Sequence, residues 1–531
     1  LIDTYHSPGL DVFLGQVQKK WPGAPRWFDT RVALKSKDRM ESDFADYLTD
    51  DPVFGRVCDK EIDLFFDEDK WLQLCREVRA QEGQVVVVGP GALASPLRSY
   101  ADCAVLTHVP RETVFLSELP NIGDDAPRSG WARYKRNFYV DWPVQNRHHF
   151  ELLPSCDFLV DVNNPEQPSW VAVPDLLRAF RVASHRPFRI RSLFMPGVWG
   201  GTRLQELIPD LPEDWPNCAW GFEVVAPENT VSFKFLDTTI SVAFDMLMHT
   251  EPRNVLGSKQ YRRYGTFFPI RFDFLDTING TNLSCQVHPD DAYINAHFRE
   301  PFAQTETYYI MEAEPEAKVY LGLTEDTDRE KFLADVARAE SEAVPFEIED
   351  HVNAWPAAPG DLFLIPPGTV HCSGSGNLVL EISATPYIYT FKIYDYLRLD
   401  LNGEPRPISY ARAFEVINFE RTAPMVEKEL IATPREMSRG EGWARYLLAD
   451  HPLLFHKIER LELSGEYLDD TGPDGVHVLC IVEGPGATVV RSEDGREQRM
   501  AYAETVIVPA GCGHYRLLPW GPSKVVKCYL K

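Results

Sequence analysis

The chain has 531 residues, of which 44% are hydrophobic and 12% aromatic. It is too long for one ordinary domain and too apolar to be wholly disordered. With 79 Asp and Glu against 54 Lys and Arg, the formal net charge is −25, which argues against nucleic acid as a partner.

The first third alternates helical and buried-strand patterns. DEDKWLQLCREVRAQEG (67–83) has helical spacing and ends at Gly83, and QVVVVGPGA (84–92) follows as an apolar strand with a glycine turn. ADCAVLTHVP (101–110) and CDFLVDVN (156–163) are two more such strands. This alternation predicts a parallel α/β sheet over residues 1–187. The turn GPGALASP (89–96) has the look of a phosphate loop, but a P-loop needs G-x-x-x-x-G-K-[ST] and no Lys follows Gly89 and Gly91. It reads as a scaffold turn, and the domain as non-catalytic. YKRNFYVDWPVQNRHH (134–149) is basic and aromatic, and reads as a solvated loop with anion docking as the alternative.

From about Pro187 the pattern becomes short strands between Gly, Pro, Asn and Asp clusters, which predicts an all-β sandwich or barrel. DTDREKFLADVARAESE (326–342) is an inserted amphipathic helix, and NGEPRPISYARAFEVINFER (402–421) holds another. TAPMVEKELIATPREMSRGEG (422–442) reads as a polar linker before strands resume at ARYLLAD (444–450). The predicted β domains are 188–425 and 426–531. The ten cysteines are scattered without a C-x-x-C pair, as in reduced cytoplasmic proteins. No apolar run reaches transmembrane length, and the first residues lack the basic and apolar regions of a signal peptide.

Four residues of the middle domain suggest a metal site. In SCQVHPDD (284–291), Gln286 and His288 are two apart on a strand and project to one face. Glu306 lies in the strand QTETYYIM (304–311). His371 closes the turn PGDLFLIPPGTVH (359–371), where the spacing of Gly360, Pro366, Gly368 and His371 is that of the second cupin motif. The first cupin motif runs His-x-His and then Glu; here Gln286-Val287-His288 and Glu306 stand in its place. A lone strand His or Glu is usually satisfied in a core. All four together, with this turn, form a mixed O and N donor set that zinc accepts.

These segments resemble the class I mannose-6-phosphate isomerases. PGVWGGTRLQEL (196–207), QVHPDDAY (286–293), TETYYIMEAEPEAKVYLGLTEDTDREKF (305–332), GDLFLIPPGTVH (360–371) and FKIYDYLRLDLNGEPRPISYARAFEVI (391–417) carry the likeness, which covers about 190–531. The resemblance implies Gln286, His288, Glu306 and His371 as Zn2+ ligands. It also implies proton transfer between C1 and C2 of a sugar phosphate through a cis-enediol. Two positions depart from the family: Gln304 replaces a Lys two residues before the metal-binding Glu, and Lys392 replaces the Arg of Tyr-Arg-x-Tyr-Asp. Lys392 is then the candidate catalytic proton shuttle, expected on one face with Tyr394 and Tyr396. His297 and Arg299 are possible helpers. The α/β region resembles the lower half of a nucleoside- or uridine-kinase-like domain lacking its P-loop.

A second cupin turn, PAGCGH (509–514), has only His477 and Glu483 upstream, and its barrel is expected to be a metal-free packing partner. Two other functions fit the pattern. One is a non-catalytic or altered-substrate sugar-binding protein on the isomerase scaffold. The other is an Fe(II) cupin oxygenase, for which His288, Glu306 and His371 would supply two His and one carboxylate.

Overall fold

Val85–Gly89, nearly all valine, is β3, an interior strand of the first sheet. In the computed structural model, residues 1–531 are described except 125, 127, 129, 387, 473 and 474. The sheet has β1 (Ile2–Asp3), β2 (Arg26–Asp29), β3, β4 (Val105–His108), β5 (Phe158–Asp161) and β6 (Ser169–Ala172). Their order is β2-β3-β1-β4-β5-β6. The first five are parallel and β6 is an antiparallel edge. Ile2, Val86 and Val88 pack against Leu10, Phe13 and Leu14 of the helix Leu10–Lys20.

The chain divides into two compact units, the first comprising Leu1–Val182, Thr230–Thr250 and His297–Glu300. The strands Thr230–Phe235 and Thr238–Ala243 pair as a hairpin within it. Two hairpin amides end on buried side chains of the sheet: Ser241 donates to Asp161 Oδ2 at 2.9 Å and Ala243 to His108 Nε2 at 3.0 Å.

Residues 134–149 are not a solvated loop. They run from the helix Gly130–Arg136 through a five-residue π segment, Asn137–Asp141, into the helix Trp142–Leu152. Most of the basic residues that suggested solvent are buried, Arg147 being half-buried, and Arg136 is paired internally with Asp124 at 3.0 Å and Asp141 at 3.3 Å. The turn after β3 is also committed. The Gly91 and Leu93 amides donate to the Asp3 carboxylate at 3.1 and 2.7 Å, so the N–H groups a phosphate loop would aim at its ligand are occupied. Gly91 reaches this geometry with φ +70°, in the left-handed region open to glycine.

The second unit holds two antiparallel sandwiches. In the first, a six-stranded sheet has the order 362–365, 306–313, 377–384, 270–276, 220–224, 193–195. Its companion five-stranded sheet has the order 352–356, 318–323, 371–373, 285–287, 391–394. In the second, strands 435–440, 443–449, 456–463, 523–530, 477–483 and 505–508 form one sheet. Strands 467–470, 514–519, 486–491 and 497–501 form the other. Leu461, Leu479, Val506 and Val525 of one sheet meet Val489, Met500, Tyr515 and Leu517 of the other in a shared core. The predicted linker is structured: Ala423–Glu429 is a helix, and Arg435–Gly440 is the edge strand of the second sandwich. Among the described residues no helix is long and apolar enough to cross a membrane.

His477, Glu483 and His514 of the second sandwich occupy three different surroundings. His477 is buried and bonded through Nδ1 to Tyr515 Oη at 2.9 Å. Glu483 is exposed and pairs with Lys524, and His514 is exposed beside Asp470.

The occupied amides after β3 lead to an expected outcome. The chain should not turn over ATP in a phosphate-release assay; turnover that disappears in Ser95→Ala would contradict the scaffold reading of this turn.

Candidate metal centre

The strand Cys285–Val287 is buried along its whole length, with alternate side chains on opposite faces. Gln286 and His288 share one face, and Pro289 follows the end of the ladder. The turn that delivers His371 is pinned from two sides. The Gly368 amide donates to the His288 carbonyl at 2.8 Å, and the Arg421 guanidinium donates to the Pro366 carbonyl at 2.8 Å. Gly368 has φ +82°, which a residue with a Cβ rarely adopts. Glu306 begins the strand Glu306–Ala313.

These elements bring His288, Glu306 and His371 to one buried point. Nε2 of His288 is 3.0 Å and Nε2 of His371 is 2.8 Å from the same oxygen, Glu306 Oε2. The Gln286 side-chain amide is 3.3 Å from His371 Nε2. The outer nitrogens fix the tautomers. His371 Nδ1 donates to the Thr369 carbonyl at 2.9 Å, and His288 Nδ1 to the Tyr389 carbonyl at 3.3 Å. A neutral imidazole protonated at Nδ1 presents a lone pair at Nε2. Two lone pairs facing a carboxylate oxygen repel unless positive charge lies among them. The donor set therefore fits a divalent cation, with the backbone carbonyls orienting its imidazoles. Burial alone would raise Glu306; positive charge on the His288 and His371 side, the same requirement, holds it well below the usual carboxylate range.

Around this point lies a second charged cluster that the sequence pattern left unassigned. Glu381 stands opposite Asp273 on one neighbouring strand and opposite Tyr308 on the other, so the three share a face with Glu306. Arg271 bridges Asp273 at 2.8 Å and Glu381 at 2.9 Å. Burial pushes Asp273 up to about 7 and Glu381 well above its ordinary value, with Arg271 opposing both shifts. The alternation in IRFDFLD (270–276), with charges at 271 and 273 between apolar residues, is the signal that could have found this pair.

Gln304 is buried and donates from Nε2 to Glu306 Oε1 at 3.3 Å, so a neutral amide supports the carboxylate from the side away from the imidazoles. Lys392 stands opposite Gln286, which stands opposite His371 on its other side. Directly opposed residues carry their side chains on one face, so Lys392, Gln286 and His371 form a row across three strands. Burial lowers Lys392 to about 8; Arg406 adds to the shift and Asp395 opposes it. Asp395 is engaged by Arg398, by Arg406 at 2.8 Å and by Ser284 Oγ at 2.8 Å.

The expected shared face of Lys392, Tyr394 and Tyr396 is corrected by a bulge. The register shifts between Cys285 and Gln286, so Tyr394 pairs with Cys285, whose side chain lies on the opposite face. Tyr396 follows with φ +54°, and its hydroxyl accepts from Asn282 at 3.2 Å. His297 and Arg299 belong to the first unit.

Residues 1–185 match a family model described as Domain of unknown function (DUF8485). Mannose-6-phosphate isomerase ManA of Bacillus subtilis (strain 168) is 28% identical over 235 residues, covering 44% of this chain and 68% of that protein. Mannose-6-phosphate isomerase of Streptococcus mutans serotype c is 27% identical over 309 residues, covering 58% of this chain and 88% of that protein. Among solved structures, the mannose 6-phosphate isomerase from Bacillus subtilis aligns with 65% of this chain and all of its own. Its TM-score is 0.53 at 20% identity. Over the aligned 65% the chain is thus built like a cupin-type phosphomannose isomerase, and it is related to these proteins in sequence.

Arg271→Met would leave Asp273 and Glu381 buried without their shared cation. The expected cost is about 3 kcal/mol, read as an earlier urea transition. An unchanged transition would show that the two carboxyl groups do not depend on Arg271.

Proposed function

We propose that the chain is a zinc-dependent aldose–ketose isomerase of sugar phosphates, interconverting mannose 6-phosphate and fructose 6-phosphate. The observation that carries this reading is the convergence of two Nδ1-committed imidazoles on Glu306. The sequence relationship to mannose-6-phosphate isomerases supports the choice of reaction.

On this reading Gln286, His288, Glu306 and His371 would hold the ion. Once bound, it would polarise the sugar carbonyl and offset the negative charge that develops on oxygen as the proton moves. Lys392 takes the proton from C2 as a free amine and returns it to C1, passing through a cis-enediol, while O1 gains a proton as the enediol forms and O2 gives one up as it collapses. Its place in the row beside Gln286, and a pKa lowered by burial, support this role. Arg271 keeps Asp273 and Glu381 neutralised between themselves, leaving the Glu306 charge for the ion. Residues 1–187 serve as a kinase-like scaffold without a P-loop, 188–425 as the metal-binding cupin, less the segments 230–250 and 297–300 that belong to the first unit, and 426–531 as a metal-free cupin. The protein acts in the cytoplasm.

A second reading is favoured by Gln304, a neutral amide where the resembling family carries a cation. On it, the barrel binds a sugar without converting it.

Elemental analysis tests the centre. His288→Ala should lose the barrel's zinc and Gln286→Ala should retain part of it, because imidazole is the stronger donor; unchanged zinc stoichiometry in His288→Ala would refute the ligand set. Iron in place of zinc in the purified chain would favour the oxygenase chemistry. A coupled hexose-phosphate assay tests the reaction. Lys392→Met should lower turnover by about 10²- to 10⁴-fold with zinc retained, and Gln304→Lys should raise it. If the wild type and Gln304→Lys both bind a hexose phosphate but convert none, the sugar-binding reading replaces the isomerase.

A further inference from the structure

The first unit contains a second convergence of one carboxylate and two imidazoles. Asp3 ends β1, and His148 and His149 are consecutive on the helix Trp142–Leu152. All three are buried, at 0%, 8% and 2% exposure. His148 Nε2 lies 2.8 Å from Asp3 Oδ2, and His149 Nε2 lies 3.0 Å from Oδ1. Consecutive helical residues diverge by roughly 100° around the axis. Both rings therefore reach one carboxylate only because Asp3 sits between their directions. The Gly91 and Leu93 amides hold the carboxylate from the other side. The ligand atoms all lie within 4.8 Å of one another, as in the barrel.

Three further features surround this cluster. It stands at the carboxyl end of β1, which lies between β3 and β4. There the chain changes the direction in which it adds strands, the position where open α/β sheets bind ligands. Among the described residues, the His149 Nδ1, Thr4 Oγ1 and Ser7 Oγ atoms are buried with no hydrogen-bond partner. The helix bearing both histidines is preceded by the π segment Asn137–Asp141, a feature that recurs at functional sites.

We propose that Asp3, His148 and His149 bind a divalent first-row transition-metal ion, a second metal site distinct in its residues from that of the barrel. Two imidazoles and one carboxylate leave coordination positions for water or for an oxygen of a further ligand. This inference does not depend on the isomerase reading.

The test uses the full chain carrying His288→Ala, stripped with a chelator, reloaded with zinc or cobalt(II) and desalted. One equivalent of metal should remain bound. The zinc absorption fine structure should show two imidazoles, and the cobalt form should show visible d–d bands. Adding His149→Gln should abolish both signals. No bound metal in the His288→Ala chain overturns the proposal, as does an equivalent that survives His149→Gln. The fine-structure measurement needs no substitution in the first unit, so it decides the matter even if His149→Gln fails to fold; fewer than two imidazoles would reject the site. If the barrel reading alone fails, wild type and His288→Ala bind the same single equivalent, and His149→Gln removes it.

Discussion

A carboxylate buried between two imidazoles is the constraint on which the barrel interior turns. Removing an ionised carboxylate from water costs several kcal/mol unless charge and hydrogen bonds replace its solvent. Glu306 faces His288 and His371, whose outer nitrogens are tied to backbone carbonyls, so its demand is met where positive charge lies among the three side chains. The surrounding architecture keeps this geometry fixed. The Gly368 turn is bonded to the strand that bears His288, and Arg421 locks the same turn. Arg271 draws Asp273 and Glu381 into a separate network, so three carboxyl groups can share one interior face.

The legible part of this site was local. Gln286 and His288 are paired by strand period, and the Gly-Pro-Gly spacing before His371 encodes a turn whose geometry depends on its own residues. What escaped was non-local or irregular. The bulge between Cys285 and Gln286 arises from pairing with a strand about a hundred residues downstream, and it moves Tyr394 off the face of Lys392. A strict alternation rule has no means to register it.

The same distinction explains the misread stretch at 134–149. Its charges looked solvated because the partners of Arg136 include Asp124, which precedes the helix and carries no periodic signal. Asp3 and His148 are separated by 145 positions, and only the packing of the helix Trp142–Leu152 against the sheet brings them together. The α/β character of the first unit was readable from strand–helix alternation, whereas its interior polar network was not. The hairpin at 230–243 joins that unit through amides bonded to His108 and Asp161, contacts that a linear domain boundary does not capture.

The most direct measurement of the central claim is anomalous scattering at the zinc edge from crystals of the wild-type chain. The account predicts a peak within bonding distance of His288 Nε2, His371 Nε2 and a Glu306 oxygen, with the Gln286 amide turned towards it. A zinc-saturated crystal with no peak at that point, and with the two imidazoles instead bonded directly to Glu306, would contradict it.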